Sequence, residues 1–361
     1  MSKVVISGFY GFHNIGDEAI LKALIDHLRK MDPSIQITVL SHNPIETEKD
    51  YGVDAIKRHD AWKVFRAIAK SDFLLSGGGS LLQDDTSARS IHYYLSIIRM
   101  GLMMKKKVYL ISNGIGPIIR EGNKRQVAHV LNRVNHITVR DFNSKKLLSQ
   151  LGVREDKISV SADMVMAMNR QPDKKGLDIL EALKIKDKNR EVIGIAIRNK
   201  DFKNDQKKKQ LIDMAHRLSI KYTVIFVPFY FDDDAKVAHW LKANVSEHVY
   251  FIENKYDASE VMSLMQQFKL LIGSRLHSLI FSLVAEVPFV GISYDPKIES
   301  FMEMFDMKPV CAMRDFDVEK IVASVDEMDA DYEMNKVRII EAKAMLVKQL
   351  TVNDLMLKEV I

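Results

Sequence analysis

The chain has 361 residues, 47% of them hydrophobic and 28% charged, which describes a globular protein with room for two domains of ordinary size. A formal net charge of +5 is too mild to argue for nucleic acid and fits acidic small molecules or weak contact with an anionic membrane surface. The single cysteine, Cys311, cannot make an internal disulfide. No apolar run reaches the roughly 18 residues of a membrane span. These features predict a cytoplasmic location, with peripheral contact at the inner face of the plasma membrane as a minor reading.

Met1-Ser2-Lys3-Val4-Val5 reads as the approach to a strand rather than as a leader peptide. The first half then alternates apolar runs with helical stretches, the pattern of a parallel α/β sheet. Strands are predicted at Val4–Ser7, Gln36–Ser41, Phe73–Ser76, Val108–Ser112, His136–Val139 and Lys157–Ser161, with helices such as Glu18–Lys30 and Ser144–Leu151 between them. The polar segment Asn169–Gly176 marks a boundary within 168–190. The second half repeats the alternation, with strands at Val192–Ile197, Tyr222–Pro228, Val249–Ile252, Phe268–Ile272 and Phe289–Ser293. Val318–Lys348 reads as a closing helix. The predicted fold is two Rossmann-like doubly wound domains, 1–170 and 185–330, facing a central cleft. A C-terminal helix in 331–361 packs back on the first domain. Ligands of such folds bind beyond the carboxyl ends of the strands.

Three glycine-rich turns follow strands of the first half. The first, Gly8 to Glu18, contains Asn14, Gly16 and Asp17 but lacks the dinucleotide spacing G-x-G-x-x-G, so a nicotinamide cofactor is poorly supported. The second is Gly77-Gly78-Gly79-Ser80, followed by Gln83 and Asp84; the third is Asn113–Pro117. Each alone is an ordinary strand-to-helix turn, but three on one sheet edge would line a single crevice. Asp17 is either a helix cap or a base for an acceptor hydroxyl. His13, a lone loop histidine, is a weaker candidate.

Residues 273–277, Gly-Ser-Arg-Leu-His, sit where a buried strand turns into a helix. A Gly-Ser turn at a helix N-terminus leaves N–H groups for an anion. Here Ser274 is joined by a permanent cation, Arg275, and by His277, whose side chain can give or take a proton. The two side chains can meet one ligand only if the backbone between them is extended or turning. Arg198, directly after an apolar strand, is placed as a ligand contact or as a solvated strand end. Lys297, after Tyr294-Asp295-Pro296, adds a third cation or is a surface lysine. Phe229, Tyr230 and Phe231 form an apolar wall or part of the core. Three adjacent acids, Asp232–Asp234, read as a capping or solvated cluster rather than a metal site, and no metal or cofactor is predicted. Tyr93–Lys107 mixes apolar residues with a basic end and reads as a packed helix, with a bilayer-lying helix as its alternative.

The segments GFYGFHNIGDEAIL (8–21), LLSGGGSLLQD (74–84), SNGIGP (112–117), TVRDFNS (138–144) and GSRLHSLIFSLVAEVPFVGISYDPK (273–297) together resemble the polysaccharide pyruvyl transferase family, in particular its members that modify secondary cell-wall polysaccharide for S-layer anchoring. The resemblance implies a two-domain fold similar to the B-type glycosyltransferases. It also implies transfer of pyruvate from phosphoenolpyruvate onto two hydroxyls of one sugar, making a cyclic ketal. The implied acceptor is an N-acetylmannosamine residue on an undecaprenyl-diphosphate-linked oligosaccharide. Arg275 and His277 match the family's phosphoenolpyruvate site and Arg198 its other anion-binding arginine. His277 is then the general acid and Asp17 the acceptor base. Gly78, Gly79, Asn14, Gly16, Ser274 and Lys297 are the remaining expected substrate contacts. Two rivals stay open: a nucleotide-sugar glycosyltransferase or epimerase, and a carbohydrate- or anion-binding module that performs no chemistry.

Overall fold

The computed structural model describes residues 1–85 and 90–361. The chain divides into two units, 1–12 with 17–168 and 346–361, and 13–16 with 169–345. Each is a parallel sheet between helices, so both are Rossmann-like.

The first unit runs β1 (Lys3–Tyr10), α1 (Ile15–Met31), β2 (Gln36–Ser41), α2 (Pro44–Tyr51), β3 (Asp54–Lys57), α3 (Ala61–Lys70), β4 (Phe73–Ser76), β5 (Gly79–Leu82), α4 (Ser90–Met103), β6 (Lys107–Ile115), α5 (Glu121–Leu131), β7 (His136–Val139), α6 (Phe142–Gln150) and β8 (Ile158–Val160). Its strand order is β3-β2-β1-β4-β6-β7-β8, with β5 also paired to β6, all parallel. Helices cover both faces, so Val4, Val5, Ile6, Leu74, Leu75, Val108 and Leu110 are buried whichever way they point. The order reverses between β1 and β4, where Gly77 N–H donates to the Ser7 carbonyl at 2.8 Å. That reversal is the switch point at which such sheets bind ligands.

The second unit runs α7 (Asp173–Ala182), β9 (Val192–Ala196), α8 (Asp205–Lys221), β10 (Thr223–Phe226), α9 (Phe231–Asp234), α10 (Val237–Leu241), β11 (Val249–Phe251), α11 (Ala258–Met265), β12 (Leu270–Gly273), α12 (Leu276–Val284), β13 (Phe289–Ser293), α13 (Pro296–Glu303), β14 (Cys311–Ala312), α14 (Val318–Ala330) and α15 (Tyr332–Gln349), before α16 (Thr351–Leu357) in the first unit. Its order, β11-β10-β9-β12-β13-β14, reverses between β9 and β12. There Ser274 N–H donates to the Ala196 carbonyl at 2.9 Å.

The sequence reading misses β3, β5 and β14. Two of these are edge strands with polar or very short sequences, and β5 begins with Gly79, the last of three glycines that read as a turn. The expected single helix over Val318–Lys348 is two helices, broken at Asp331. Residues 346–361 are tied to the first unit by fully buried Asn353, which accepts from the Thr138 hydroxyl at 2.7 Å and donates to the Ser112 hydroxyl at 2.9 Å. Among the described residues, no helix is long and apolar enough to cross a membrane.

Candidate active site

At the second unit's switch point, Arg275 keeps an extended backbone (φ −95°, ψ 123°) as the cap residue of α12, and the helix starts at Leu276. His277 therefore lies in the first helical turn, two residues after a turning backbone. Ser274 is fully buried, and its hydroxyl has no hydrogen-bond partner among the described residues.

Each predicted cation here has an acid of its own. Arg275 sends Nε to Asp234 Oδ2 at 2.9 Å and Nη2 to Asp234 Oδ1. Arg198 sends Nε and Nη2 to Asp201 at 2.7 and 2.6 Å, and its guanidinium stacks on the Tyr294 ring. Lys297 sits 3.1 Å from Asp295 and 5.5 Å from the centroid of the same Tyr294 ring. A carboxylate that takes Nε and Nη2 fixes the plane of a guanidinium and leaves its Nη1 edge for a ligand. No described residue takes Nη1 of either arginine. The arrangement is a pair of oriented forks, not a pool of loose positive charge.

Asp234 corrects the reading of the acidic run. It is 4% exposed, pairs with Arg275 and also accepts from the Tyr230 N–H at 2.9 Å. Burial pushes its carboxyl above the ordinary aspartate value, against the pull of Arg275. Nothing in three consecutive aspartates says which one turns inward; only the fold of α9 decides it.

The segment 13–16 belongs to this unit. Asn14 bridges to Tyr230, and Ile15 N–H donates to the Phe229 carbonyl at 3.0 Å. A Cβ at Gly16 would overlap the His277 ring, so only glycine lets the start of α1 lie against the imidazole. Asn14 Oδ1 accepts from Gly16 N–H at 3.2 Å. This makes Asn14 the cap of α1, whereas Asp17, expected either as a cap or as a base, is the third residue of the helix.

The first unit's switch point gathers Asp17, Gly78 and Gly79. Asp17 is 8% exposed. Gly79 has φ +87°, and a Cβ there would sit 2.9 Å from Asp17 Oδ1. Gly78 lies under the Ser112 carbonyl and Ile20. Asn113 Nδ2 donates to the Gly77 carbonyl at 2.5 Å. The buried Ser7 hydroxyl, Tyr10 hydroxyl and Asn113 Oδ1 have no partner among the described residues. Burial holds the Tyr10 phenol well above its ordinary value. Two arginines that were given no role also lie in this unit. Arg140 pairs with Asp163 at 3.1 Å and donates to the Ser80 hydroxyl at 3.0 Å. Arg58, 6% exposed, is enclosed by the rings of Phe12, Tyr93 and Tyr94 at 5.2, 4.1 and 5.4 Å, with no carboxylate partner among the described residues. Arg140 lies in the segment TVRDFNS (138–144). Arg58 carried no sequence signal, because an arginine after a four-residue polar strand looks like surface.

Residues 14–296 match the model of the family described as polysaccharide pyruvyl transferase. The chain is 22% identical to the amylovoran biosynthesis protein AmsJ of Erwinia amylovora, over 98% of this chain and 99% of that protein. Among solved structures, HepE of Anabaena, crystallised with UDP and glucose, superposes with a TM-score of 0.66 at 12% identity, covering 99% of each chain. UDP-GlcNAc 2-epimerase of Neisseria meningitidis gives 0.61 at 13% identity, covering 97% of this chain and 100% of that one. At such identities the two structures speak for the fold alone.

Proposed function

We propose that this chain, which belongs to the polysaccharide pyruvyl transferase family, moves pyruvate from phosphoenolpyruvate onto two hydroxyls of one sugar, forming a cyclic ketal and releasing inorganic phosphate. The observation that carries the reading is the second switch point: two guanidinium forks held in plane by Asp234 and Asp201, beside an imidazole in the first turn of α12.

Phosphoenolpyruvate brings a carboxylate and a phosphate, about three negative charges at neutral pH. Arg275 and Arg198 each offer an Nη1 edge to one of them, and Ser274 and Lys297 add donors. His277 gives its proton to the methylene carbon, which becomes a methyl group. The neighbouring carbon takes up positive charge, and a sugar hydroxyl bonds to it as Asp17 removes that hydroxyl's proton. The carbon–oxygen bond to phosphate breaks with its electron pair leaving on phosphate. A second hydroxyl then closes the ring and gives its proton to His277, which restores the acid, while the proton on Asp17 leaves with phosphate.

The acceptor we assign is a sugar of a cell-surface glycan precursor carried on undecaprenyl diphosphate. The sequence resemblance favours N-acetylmannosamine of a secondary cell-wall polysaccharide and a part in S-layer anchoring, and the name of the Erwinia relative, an amylovoran biosynthesis protein, supports a biosynthetic role.

The test is to incubate the protein with phosphoenolpyruvate and a panel of aryl-tagged or lipid-linked disaccharides, measuring inorganic phosphate and product mass. Phosphate release matched by a pyruvyl ketal on the sugar is the expected result. Thermal stabilisation by uridine diphosphate sugars but not by phosphoenolpyruvate would replace this reading with nucleotide-sugar chemistry. Ligand binding without phosphate release on any acceptor would reduce the protein to a binding module.

A further inference from the structure

Helix α3, AWKVFRAIAK, has two faces that its sequence separates cleanly. Val64 and Ile68, one turn apart, are buried and attach the helix to the core. Away from that face, with Phe65 on its flank, Trp62 and Phe65 are 67% and 44% exposed, with rings stacked at 5.9 Å and 4°. Ala69 continues their stripe, also exposed. A second stripe, Lys63, Arg66 and Lys70 at i, i+3 and i+7, runs beside it, and all three are exposed. The helix contains no acid; the nearest is its cap, Asp60, whose carboxylate is 3.7 Å from Lys63.

A solvent-facing tryptophan stacked on a phenylalanine has no packing reason to be there, since core attachment is complete without it. Aromatic rings flanked by cations are what the boundary between lipid headgroups and acyl chains accepts: rings enter the interface while ammonium and guanidinium groups meet anionic phosphates. A second copy of this chain is a poor occupant, because a two-fold contact would bring the same three cations face to face. Helix α4, which carries the apolar run singled out in the sequence, buries Ile91, Tyr94, Leu95, Ile97, Ile98 and Gly101 in the core and has far less to offer.

We propose that the outer face of α3 docks the protein on an anionic lipid bilayer, with Trp62 and Phe65 in the interface and Lys63, Arg66 and Lys70 on the headgroups. This goes beyond the assignment of pyruvyl transfer and stands or falls separately from it.

The experiment is co-sedimentation of the full chain with vesicles of phosphatidylglycerol or of phosphatidylcholine, alongside tryptophan emission. The chain has two tryptophans, and Trp240 is half-buried and bonded to Asn199, so an emission shift on vesicles reports Trp62. The expected result is binding to phosphatidylglycerol that weakens with salt. Trp62→Ser with Phe65→Ser should cut partition by at least about tenfold, and Lys63→Gln with Arg66→Gln by about fivefold for each charge removed. Both double variants should keep wild-type turnover on a water-soluble tagged acceptor. If wild type binds vesicles but transfers no pyruvyl group, only the functional assignment falls. Equal partition of wild type and the Trp62→Ser/Phe65→Ser variant would overturn the docking face, as would absence of binding. A concentration-dependent dimer lost in that variant would reassign the face to self-association.

Discussion

The two switch points are built alike in backbone and differently in charge. At the second unit's switch point each of the three predicted cations is matched with a carboxylate: Arg275 with Asp234, Arg198 with Asp201, Lys297 with Asp295. In the first unit Arg140 is matched with Asp163, but Arg58 is buried among rings, its Nε has no partner among the described residues, and its guanidinium's two hydrogen bonds there, to the Gly8 carbonyl and the Tyr94 hydroxyl, are long at 3.4 Å. Among the described residues, the same unit leaves Ser7, Tyr10 and Asn113 with unpartnered oxygens. A carboxylate-matched arginine is costly to disturb and comes with its direction fixed, which suits a small anion that must be aimed. A ring-held arginine is weakly directed and tolerates variation in what it meets. Under the proposed function, the contrast assigns the one defined donor to the second unit and the larger, more variable acceptor to the first.

The largest expected effect concerns the imidazole. A general acid commonly supplies about 10²–10⁴ in rate. His277→Ala should lose that much turnover while phosphoenolpyruvate still stabilises the protein against heat, because the forks remain. Rapid-quench measurement of phosphate release checks it; unchanged turnover removes His277 from the chemistry and leaves only the anion site.

Next is the matched pair. Arg275→Met leaves Asp234 buried without its cation, and breaking one side of a buried pair costs about 3–5 kcal/mol. Denaturant unfolding should show that loss in the second unit, together with loss of phosphoenolpyruvate binding. Arg275→Met combined with Asp234→Leu should recover much of the stability and none of the binding. A single variant as stable as wild type would mean that the pair is not the closed unit its geometry indicates.

The framework of this comparison could be read from sequence, but its electrostatics could not. Apolar runs such as Phe73–Ser76, His136–Val139 and Phe289–Ser293 match their strands residue for residue, because a strand buried on both faces has no other pattern to show. Gly-Ser-Arg-Leu-His announced a strand-to-helix turn, and the turn is there. Partners far apart in sequence were invisible: Asp234 lies 41 positions from Arg275, and nothing local distinguishes it from Asp232 or Asp233. The steric demand that Gly16 meets is equally silent, since its reason is the ring of His277. Trp62 and Phe65 escaped notice for the opposite reason. An aromatic residue in a helix reads as core, and only the fold reveals that Val64 and Ile68 already fill that place.

A smaller effect tests the first unit through Glu18, which accepts from the Gly11 N–H at 2.8 Å and the Tyr51 hydroxyl at 3.0 Å. Burial pushes its carboxyl up from 4.5 to about 7. Between those values the unfolded chain ionises and the folded one stays protonated, so Glu18 withdraws stability as pH rises, fully so above about 7. Glu18→Gln keeps the shape without the charge. It should raise stability at pH 8 by about 1–2 kcal/mol, allowing for partial exposure, with the gain shrinking as pH falls toward the ordinary glutamate value. Thermal melts at both pH values check it, and a gain independent of pH would mean that ionisation of Glu18 is not the cause.

The smallest expected change is the one that decides whether the comparison holds. Arg58→Met removes a guanidinium held by Phe12, Tyr93 and Tyr94, forfeiting cation–π attraction of about 2 kcal/mol. It also removes the cost of keeping an unmatched charge out of water, which is of similar size and opposite sign. No carboxylate is stranded, since none is paired with it among the described residues. Methionine fills the same space and packs well against rings. The net change in unfolding free energy should therefore stay below about 1 kcal/mol, several-fold less than for Arg275→Met, while binding of the sugar acceptor weakens and that of phosphoenolpyruvate does not. Equal losses for the two arginines in parallel urea titrations would show that rings hold Arg58 as firmly as carboxylates hold Arg275, and the division of labour between the switch points would have to be given up.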